Sequence, residues 1–417
     1  MSARERLSRP VQTIRSVAKF GPVETNLAER RLARAASVAD LRAIAKRRLP
    51  GGVFDYIDGG AEDERTLAAN TQAFADTTFH PAVLRGIREV STKGTVLGTP
   101  VSIPLVLAPT GFTRIADPQG ELAVARAAER AGLPYTLSTL GTRSIEEVRA
   151  VSKGRLFFQV YAWRDRGLVQ EMIERAAHER YEALMLTVDT AVFGRRERDV
   201  RRGFSLPPTL GPGTMIDGAI HPAWTLAFLR NEPIRFANVI GRDVGDGASP
   251  VTLSDYINSQ FDPSLSWDDI DWLRSVWNGP IMIKGIQRVE DAVIAADRGV
   301  DAVILSNHGG RQLDGSPATF SLVAPVADAI GDRTEIICDG GIRRGSDIVK
   351  AIASGATACM AGRAYLYALG AAGERGVDRV LEWFRDDMAR TMSLIGAESI
   401  AELDRSFVTL PPMNPLS

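Results

Sequence analysis

The sequence predicts an α/β fold: a (β/α)8 TIM barrel with an N-terminal helical extension and a long insertion after the fourth strand. Three observations carry that reading. Eight short apolar runs recur at residues 104–108, 135–138, 156–160, 183–188, 280–284, 302–306, 335–339 and 357–361, each with the length and composition of a buried parallel strand. Most are followed by apolar residues at helical spacing, and strands alternating with helices imply a parallel sheet. Eight such units favour a closed barrel. The alternative, an open doubly wound sheet, would place a GxGxxG turn after its first strand, and none follows residues 104–108.

Size and composition set the bounds. A chain of 417 residues, 45% hydrophobic and 24% charged, is an ordinary soluble enzyme in make-up, and barrels with insertions reach this length as one unit. The net charge of -1 gives no reason to expect nucleic acid. Residues 1–50, however, hold twelve Lys/Arg against four Asp/Glu, a surplus of +8, which leaves -9 for the remainder. Such an arm can be a solvated helix, a subunit contact or an attraction to anionic lipid. No run of 18 apolar residues and no apolar stretch after Met1-Ser2-Ala3-Arg4 is present. The expected location is cytoplasmic, with peripheral contact at the inner face of the cell membrane. Cys338 and Cys359 fall in predicted strands and read as inert core thiols.

The elements follow in order. Residues 1–100 read as an extension packed on the barrel, with a helix at 38–48 that Ser37 would cap. A glycine-rich, acidic stretch at 51–64, containing Phe54 and Tyr56, comes next. The barrel occupies 101–396, with helical patterns at 121–131, 291–298, 318–330 and 346–354, and a tail covers 397–417. About ninety residues separate Val188 from Pro280, where a strand-to-strand unit needs roughly thirty. Within that interval residues 203–262 are rich in Pro, Gly and Asn and contain the apolar patch 224–229. A lid, a membrane-contacting flap and plain packing of Trp224 and Phe228 are all compatible with it.

If the eight runs close a barrel, their carboxyl ends converge on one pocket. They carry Ala108-Pro109-Thr110-Gly111, Ser138, Gln159 with Tyr161, Thr187 with Asp189, Lys284, Ser306-Asn307-His308, Asp339-Gly340-Gly341 and Gly362-Arg363. Packing alone has little use for so many polar groups. His308 is one of only four histidines and stands three residues before Arg311 in Ser306-Asn307-His308-Gly309-Gly310-Arg311. A base beside a fixed cation suits deprotonation of a substrate that carries its own carboxylate. Asp189 can orient His308 and stabilise its imidazolium. The turns Gly340-Gly341-Ile342-Arg343 and Gly362-Arg363 follow strands seven and eight, the usual phosphate site of this architecture. Lys284 must find negative charge, either an internal carboxylate or a cofactor that becomes anionic on reduction. Arg311 and Arg196 are candidates to clamp a carboxylate, although Arg196 alone reads as a surface charge in an Arg/Glu run. Tyr56 and Tyr161 offer hydroxyls or are core aromatics with wet tips. No His/Cys spacing suggests a metal.

The segment Ser306 through Asp314, with Tyr56-Ile57-Asp58-Gly59-Gly60-Ala61-Glu62-Asp63, Ala108-Pro109-Thr110, Thr187-Val188-Asp189-Thr190, Lys284-Gly285 and Gly362-Arg363, resembles the FMN-dependent L-2-hydroxy acid dehydrogenase and oxidase family. The resemblance runs from about Asp40 to about Gly396 and is strongest toward bacterial quinone-linked L-lactate dehydrogenases. It implies that His308 is the base and Asp189 its partner. Arg196 and Arg311 would hold the substrate carboxylate, with Tyr56 and Tyr161 adding hydroxyls. FMN would contact Ala108, Pro109, Thr110, Ser138, Gln159, Thr187, Lys284 and Ser306, its phosphate lying against Asp339, Gly340, Gly341, Arg343, Gly362 and Arg363. A homotetramer is implied as well.

Two positions depart from the oxidase pattern: Gly111 stands where oxidases have alanine, and Leu140 where glycolate oxidase has tryptophan. Both favour electron transfer to a quinone. The expected reaction is oxidation of L-lactate to pyruvate. The alternatives are a mandelate-type dehydrogenase, an oxygen-using oxidase and a non-redox phosphate-binding barrel.

Overall fold

The computed structural model describes residues 24–202, 211–239 and 259–411. The start of the basic arm and much of the 203–262 insertion lie outside the described residues, as does the end of the 397–417 tail.

Eight parallel strands close into a barrel in chain order, the eighth pairing back onto the first. They are β1 (Leu105–Leu107), β2 (Tyr135–Ser138), β3 (Leu156–Val160), β4 (Ala183–Thr187), β5 (Ile281–Ile286), β6 (Ala302–Leu305), β7 (Glu335–Asp339) and β8 (Ala358–Ala361). Every strand residue is buried except Gly285 and Glu335. That explains why the strands read as continuous apolar runs: side chains fill the barrel on one face and meet the helices on the other. The predicted fifth run stops at Lys284, but β5 continues to Ile286 through a register shift between Lys284 and Ile286. Gly285 at φ +115° makes the shift possible, and a Cβ there would stand 2.8 Å from the Cβ of Asp189. The irregularity therefore lets the β4 and β5 ends close on each other.

The covering helices fall where the apolar spacing puts them, with one refinement. Residues 318–330 divide into a 3-10 turn, Thr319–Leu322, and the helix Val323–Ile330. Pro325 sits in the first turn of that helix, where its missing N–H is tolerated. The longest helix, Glu374–Ile395, buries Val377, Val380, Leu381, Phe384, Met388, Met392 and Ile395. It packs on the helices Gly345–Ala353 and Arg363–Ala372.

Before the barrel come a short helix, Leu27–Leu32, and then α1 (Val38–Arg48), α2 (Gly51–Asp58) and α3 (Arg65–Asp76). Ser37 caps α1 by accepting from the Asp40 N–H at 3.3 Å. Arg48 at the end of α1 donates to the carbonyls of Gly370 and Ala371, and Lys350 to that of Phe74, which ties the extension to the barrel helices. The acidic stretch at 51–64 begins as α2, whose last residue, Asp58, is buried among Arg42, Arg198 and Tyr367. After β4 the described insertion holds α4 (Glu197–Arg202), α5 (Pro212–Ile220) and α6 (Pro222–Arg230). Neither α5 nor α6 buries a residue. Trp224 of α6 reaches the barrel through one hydrogen bond, its indole N–H to the Ile115 carbonyl at 2.8 Å.

Candidate active site

A cleft at the carboxyl ends of the strands encloses about 1230 Å³ of open space, its mouth included. It is roofed by α2 and by the loops after β1, β4 and β6. Its walls hold Tyr56, Ala108, Pro109, Thr110, Ser138, Gln159, Tyr161, Thr187, Arg196 and Lys284. They also hold His308, Arg311, Asp339, Gly340, Gly341, Arg343, Gly362 and Arg363. Of the residues given a catalytic, substrate or cofactor role from the sequence, only Ser306 and Asp189 do not line it, and each bonds to one that does.

His308 follows β6 in the left-handed region, at φ +57°, and Gly309 and Gly310 continue there at +66° and +73°. A non-glycine residue held in that region is strained, and the strain turns the imidazole into the cleft. Its Nδ1 meets Asp189 Oδ1 at 2.9 Å. Because an ionised carboxylate only accepts, Nδ1 carries the proton and Nε2 keeps its lone pair. Burial pushes the His308 pKa below the ordinary imidazole value, with Lys284 and Arg196 acting in the same direction and Asp189 opposing them. Burial raises the Asp189 carboxyl, but the electrostatic pull and hydrogen bond of His308 together with the charge of Lys284 outweigh it, so the group is held below the usual carboxylate range. Asp189 Oδ2 is buried and has no hydrogen-bond partner among the described residues.

Two guanidiniums face this pair. Arg311 donates to the carbonyls of Tyr56 and Gly59 at 2.7 and 3.0 Å, and lies 5.1 Å from the Tyr56 ring centroid. Arg196 lies 6.0 Å from the same ring, and its Nε is buried without a partner. Burial, with Arg196 adding repulsion, pulls the Arg311 pKa down to about 9. Neither arginine forms a salt bridge among the described residues. A buried cation beside a second one is unfavourable, and the charge of Asp199 offsets this for Arg311 only in part, so an anion in the cleft would be favoured. The structure thus departs from the surface-charge reading of Arg196.

Elsewhere the cleft wall carries a series of polar groups. Gln159 Oε1 accepts from Ser138 Oγ at 3.0 Å, while its Nε2 is buried and has no partner among the described residues. A planar heterocycle with carbonyl acceptors would satisfy that orphaned donor. Lys284 Nζ donates to Ser306 Oγ at 2.9 Å and lies 3.4 Å from Asp339 Oδ2. Ser306 also donates to Asp339 and accepts from the His308 N–H, so it braces both from behind. At the far end Gly340 and Gly341 both have positive φ, and a Cβ on Gly341 would strike the Asn70 carbonyl at 2.1 Å. Asp347 occupies the amides of Arg343 and Arg344. The guanidinium of Arg363 is committed to the carbonyls of Ile57, Gly59 and Gly309. A phosphate here would therefore rely on the glycine amides, Arg343 and the N-terminus of the helix Arg363–Ala372. These features fit FMN: an orphan amide donor and a lysine for the ring, and an anion site beyond.

The cleft also contains Phe112, Ile115, Thr190 and Phe193, and Gln312 at its edge, which the sequence did not single out. Phe112 packs edge-on against Phe236 at 4.4 Å. The signal for Phe193 and Thr190 was proximity in sequence to Asp189 and Arg196. Phe112 and Ile115 gave none, because they lie in the 3-10 turn Thr113–Ile115 and its approach. Among the described residues, no cluster of His, Cys, Asp and Glu could hold a metal ion. The two cysteines are free and buried.

The model of the FMN-dependent dehydrogenase family matches residues 45–410. A Mycobacterium tuberculosis protein named provisionally as an L-lactate dehydrogenase is 46% identical over 407 residues, spanning 97% of each chain. Glycolate oxidase of Spinacia oleracea is 40% identical over 374 residues, covering 89% of this chain and 95% of that one. Among solved structures, (S)-mandelate dehydrogenase, described as a monotopic membrane protein, superposes with a TM-score of 0.87 at 39% identity. That match covers 91% of this chain and all of the other.

Proposed function

The chain belongs to the FMN-dependent dehydrogenase family and oxidises a 2-hydroxy acid with FMN; from that premise we propose that the substrate is L-lactate and the electron acceptor a quinone. The observation that carries the reading is the His308–Asp189 pair sharing one cleft with two guanidiniums, Arg311 and Arg196, that form no salt bridge among the described residues and feel the opposing charge of Asp199.

Arg196 and Arg311 bind the substrate carboxylate and so fix the α-carbon relative to His308. Bidentate, charge-assisted bonds supply direction as well as affinity. Tyr56 and Tyr161 border the same space, where their hydroxyls can meet the carboxylate and the substrate oxygen. His308 Nε2 takes the proton from the substrate, and Asp189 stabilises the imidazolium that results. A bound FMN would supply the two-electron acceptor for this oxidation. Gln159, Ser138, Thr187 and the β1 end (Ala108, Pro109, Thr110) would hold its ring, with Lys284 supplying positive charge beside it.

Two features support a quinone acceptor at a membrane surface. The helices α5 and α6 expose Met215, Ile216, Ile220, Leu226, Phe228 and Leu229, and the similar (S)-mandelate dehydrogenase is described as monotopic. The departures at positions 111 and 140 are also in contact, since a Cβ on Gly111 would lie 3.2 Å from that of Leu140. We add a homotetramer as the assembly the resemblance implies.

A second reading has its own support. Phe112, Ile115, Leu140 and Phe193 give the cleft an apolar wall longer than a methyl group needs, so an aromatic 2-hydroxy acid such as mandelate is the competing substrate. Anaerobic addition of L-lactate should bleach the flavin, D-lactate should not, and a substrate panel ranks lactate against mandelate. An oxidised spectrum that survives L-lactate would remove the lactate assignment. Stoichiometric peroxide during turnover would replace quinone with oxygen.

A further inference from the structure

Between Thr187 at the end of β4 and Glu197 at the start of α4 the chain has no regular structure. This nine-residue passage nevertheless carries Asp189 near one end and Arg196 at the other. Its partners, His308 and Arg311, sit on a different loop, the one after β6. Two groups of different roles must be kept in register across that gap.

One side chain spans it. The Gln312 amide nitrogen donates to the carbonyls of Asp189 and Val192, each at 3.0 Å, and its oxygen accepts from the Gly194 N–H at 3.2 Å. Gln312 is itself 9% exposed. Beneath the amide the two loops touch backbone to backbone. A Cβ on Gly194 would come within 2.3 Å of the Arg311 carbonyl and 2.5 Å of that of Gln312. Both loops are further tied to the extension: the Glu62 N–H donates to the Arg195 carbonyl of the first and the Ala61 N–H to the Gly310 carbonyl of the second.

We infer that Gln312 is a positioning residue: its amide staples the loop bearing Asp189 and Arg196 to the loop bearing His308 and Arg311. The inference rests on the reading of His308 as base and the arginines as carboxylate clamp. The staple also isolates these residues from the insertion that follows, whose helices α5 and α6 are anchored sparsely. Misplacement of about 1 Å can lower a rate by ~10²-fold, so loss of the staple should affect catalysis before it affects folding.

The test uses Gln312→Met, which keeps length without hydrogen bonds. A second variant, Gln312→Glu, keeps the acceptor for Gly194 but sets a carboxylate against two carbonyls. The FMN-loaded proteins are compared by anaerobic flavin reduction with L-lactate, or with whichever L-2-hydroxy acid reduces the wild type. Flavin content and thermal midpoint are measured alongside. Pyruvate binding, read from the flavin spectrum, reports the arginine clamp without turnover. Both variants should retain flavin, reduce it about 10–100-fold more slowly per bound flavin, and bind substrate and pyruvate more weakly, Glu more so than Met. Rates and affinities within twofold of wild type in both variants would overturn the staple, however far the thermal midpoint fell. Should no hydroxy acid reduce the wild type, the base assignment fails instead. Pyruvate affinity then still decides whether Gln312 positions the arginines.

Discussion

At the scale of single residues, the chemistry reduces to which protonation state each buried group is forced to hold. His308 is kept neutral by burial and by the neighbouring charges of Lys284 and Arg196, and only Asp189 pulls the other way. A base works above its pKa. The acid limb of flavin reduction against pH should therefore lie below the ordinary imidazole value of about 6.5. Asp189→Asn removes the one group that raises the pKa, so the limb should move to still lower pH. The plateau should fall by roughly 10²–10⁴ as the imidazolium loses its partner. Rapid anaerobic mixing across pH measures both, and a limb that moved upward would detach Asp189 from His308. His308→Gln should retain the flavin and abolish its reduction, and near-normal reduction in that variant would mean another group is the base. These two residues stood out in the sequence because each lies within three residues of a strand end, where the side chains of a barrel converge. Arg196 was not legible from its own neighbourhood: its Arg/Glu run looks like solvated surface, and only the fold turns that one guanidinium inward while Arg198 and Arg202 pair with Asp58, Glu64 and Asp55.

At the scale of elements, the site depends on how α2 and α4 are locked together. Asp58 ends α2, is almost fully buried, and accepts from Arg42, Tyr367 and Arg198. Burial raises its carboxyl pKa, but those donors outweigh it and hold it at about 2. A folded-state pKa below the unfolded value near 3.8 adds stability above pH 3.8 that is lost as pH falls through about 2, on the order of 2 kcal/mol. Asp58→Asn should cost roughly 3 kcal/mol, the low end for breaking a buried ion pair, because Arg42 is partly exposed. Denaturant unfolding near neutral pH checks the magnitude. The variant should also lose part of the stability slope between pH 4 and 2, and an unchanged slope would mean Asp58 is not the titrating group. The strands were readable because burial on both faces leaves an unbroken apolar signature. The bulge at Gly285 was not, because a register shift depends on the neighbouring strand and not on the residues within β5. The roof over the cleft was equally hidden: residues 51–58 contain two glycines and two acids, yet tertiary pairing of Asp58 makes them a helix.

At the scale of the whole molecule, the question is what the outer surface of the insertion meets. None of the described helices is long and apolar enough to cross a membrane. Met215, Ile216 and Ile220 on α5, with Leu226 and Leu229 on α6, are each about half exposed or more. No residue of either helix is fully buried, although Trp224 packs in part against the barrel core. Apolar faces of this kind enter the headgroup boundary, each methylene contributing about 0.8 kcal/mol when buried. The basic surplus in residues 1–50 would add an attraction that fades as salt screens it. The two contributions separate experimentally. Wild-type protein should sediment with vesicles of phosphatidylglycerol and phosphatidylcholine, less so at high salt but still measurably. The triple variant Ile216→Ser, Ile220→Ser, Leu229→Ser should lose the salt-resistant fraction by at least about tenfold. It should also oxidise L-lactate normally with a soluble dye while failing with a quinone dissolved in the vesicles. The sequence could flag the apolar patch at 224–229 but not decide between lid, flap and packing, since exposure is a property of the assembled surface. If the triple variant binds vesicles as the wild type does and salt alone releases both, the basic arm holds the protein there and α5 and α6 face something other than lipid.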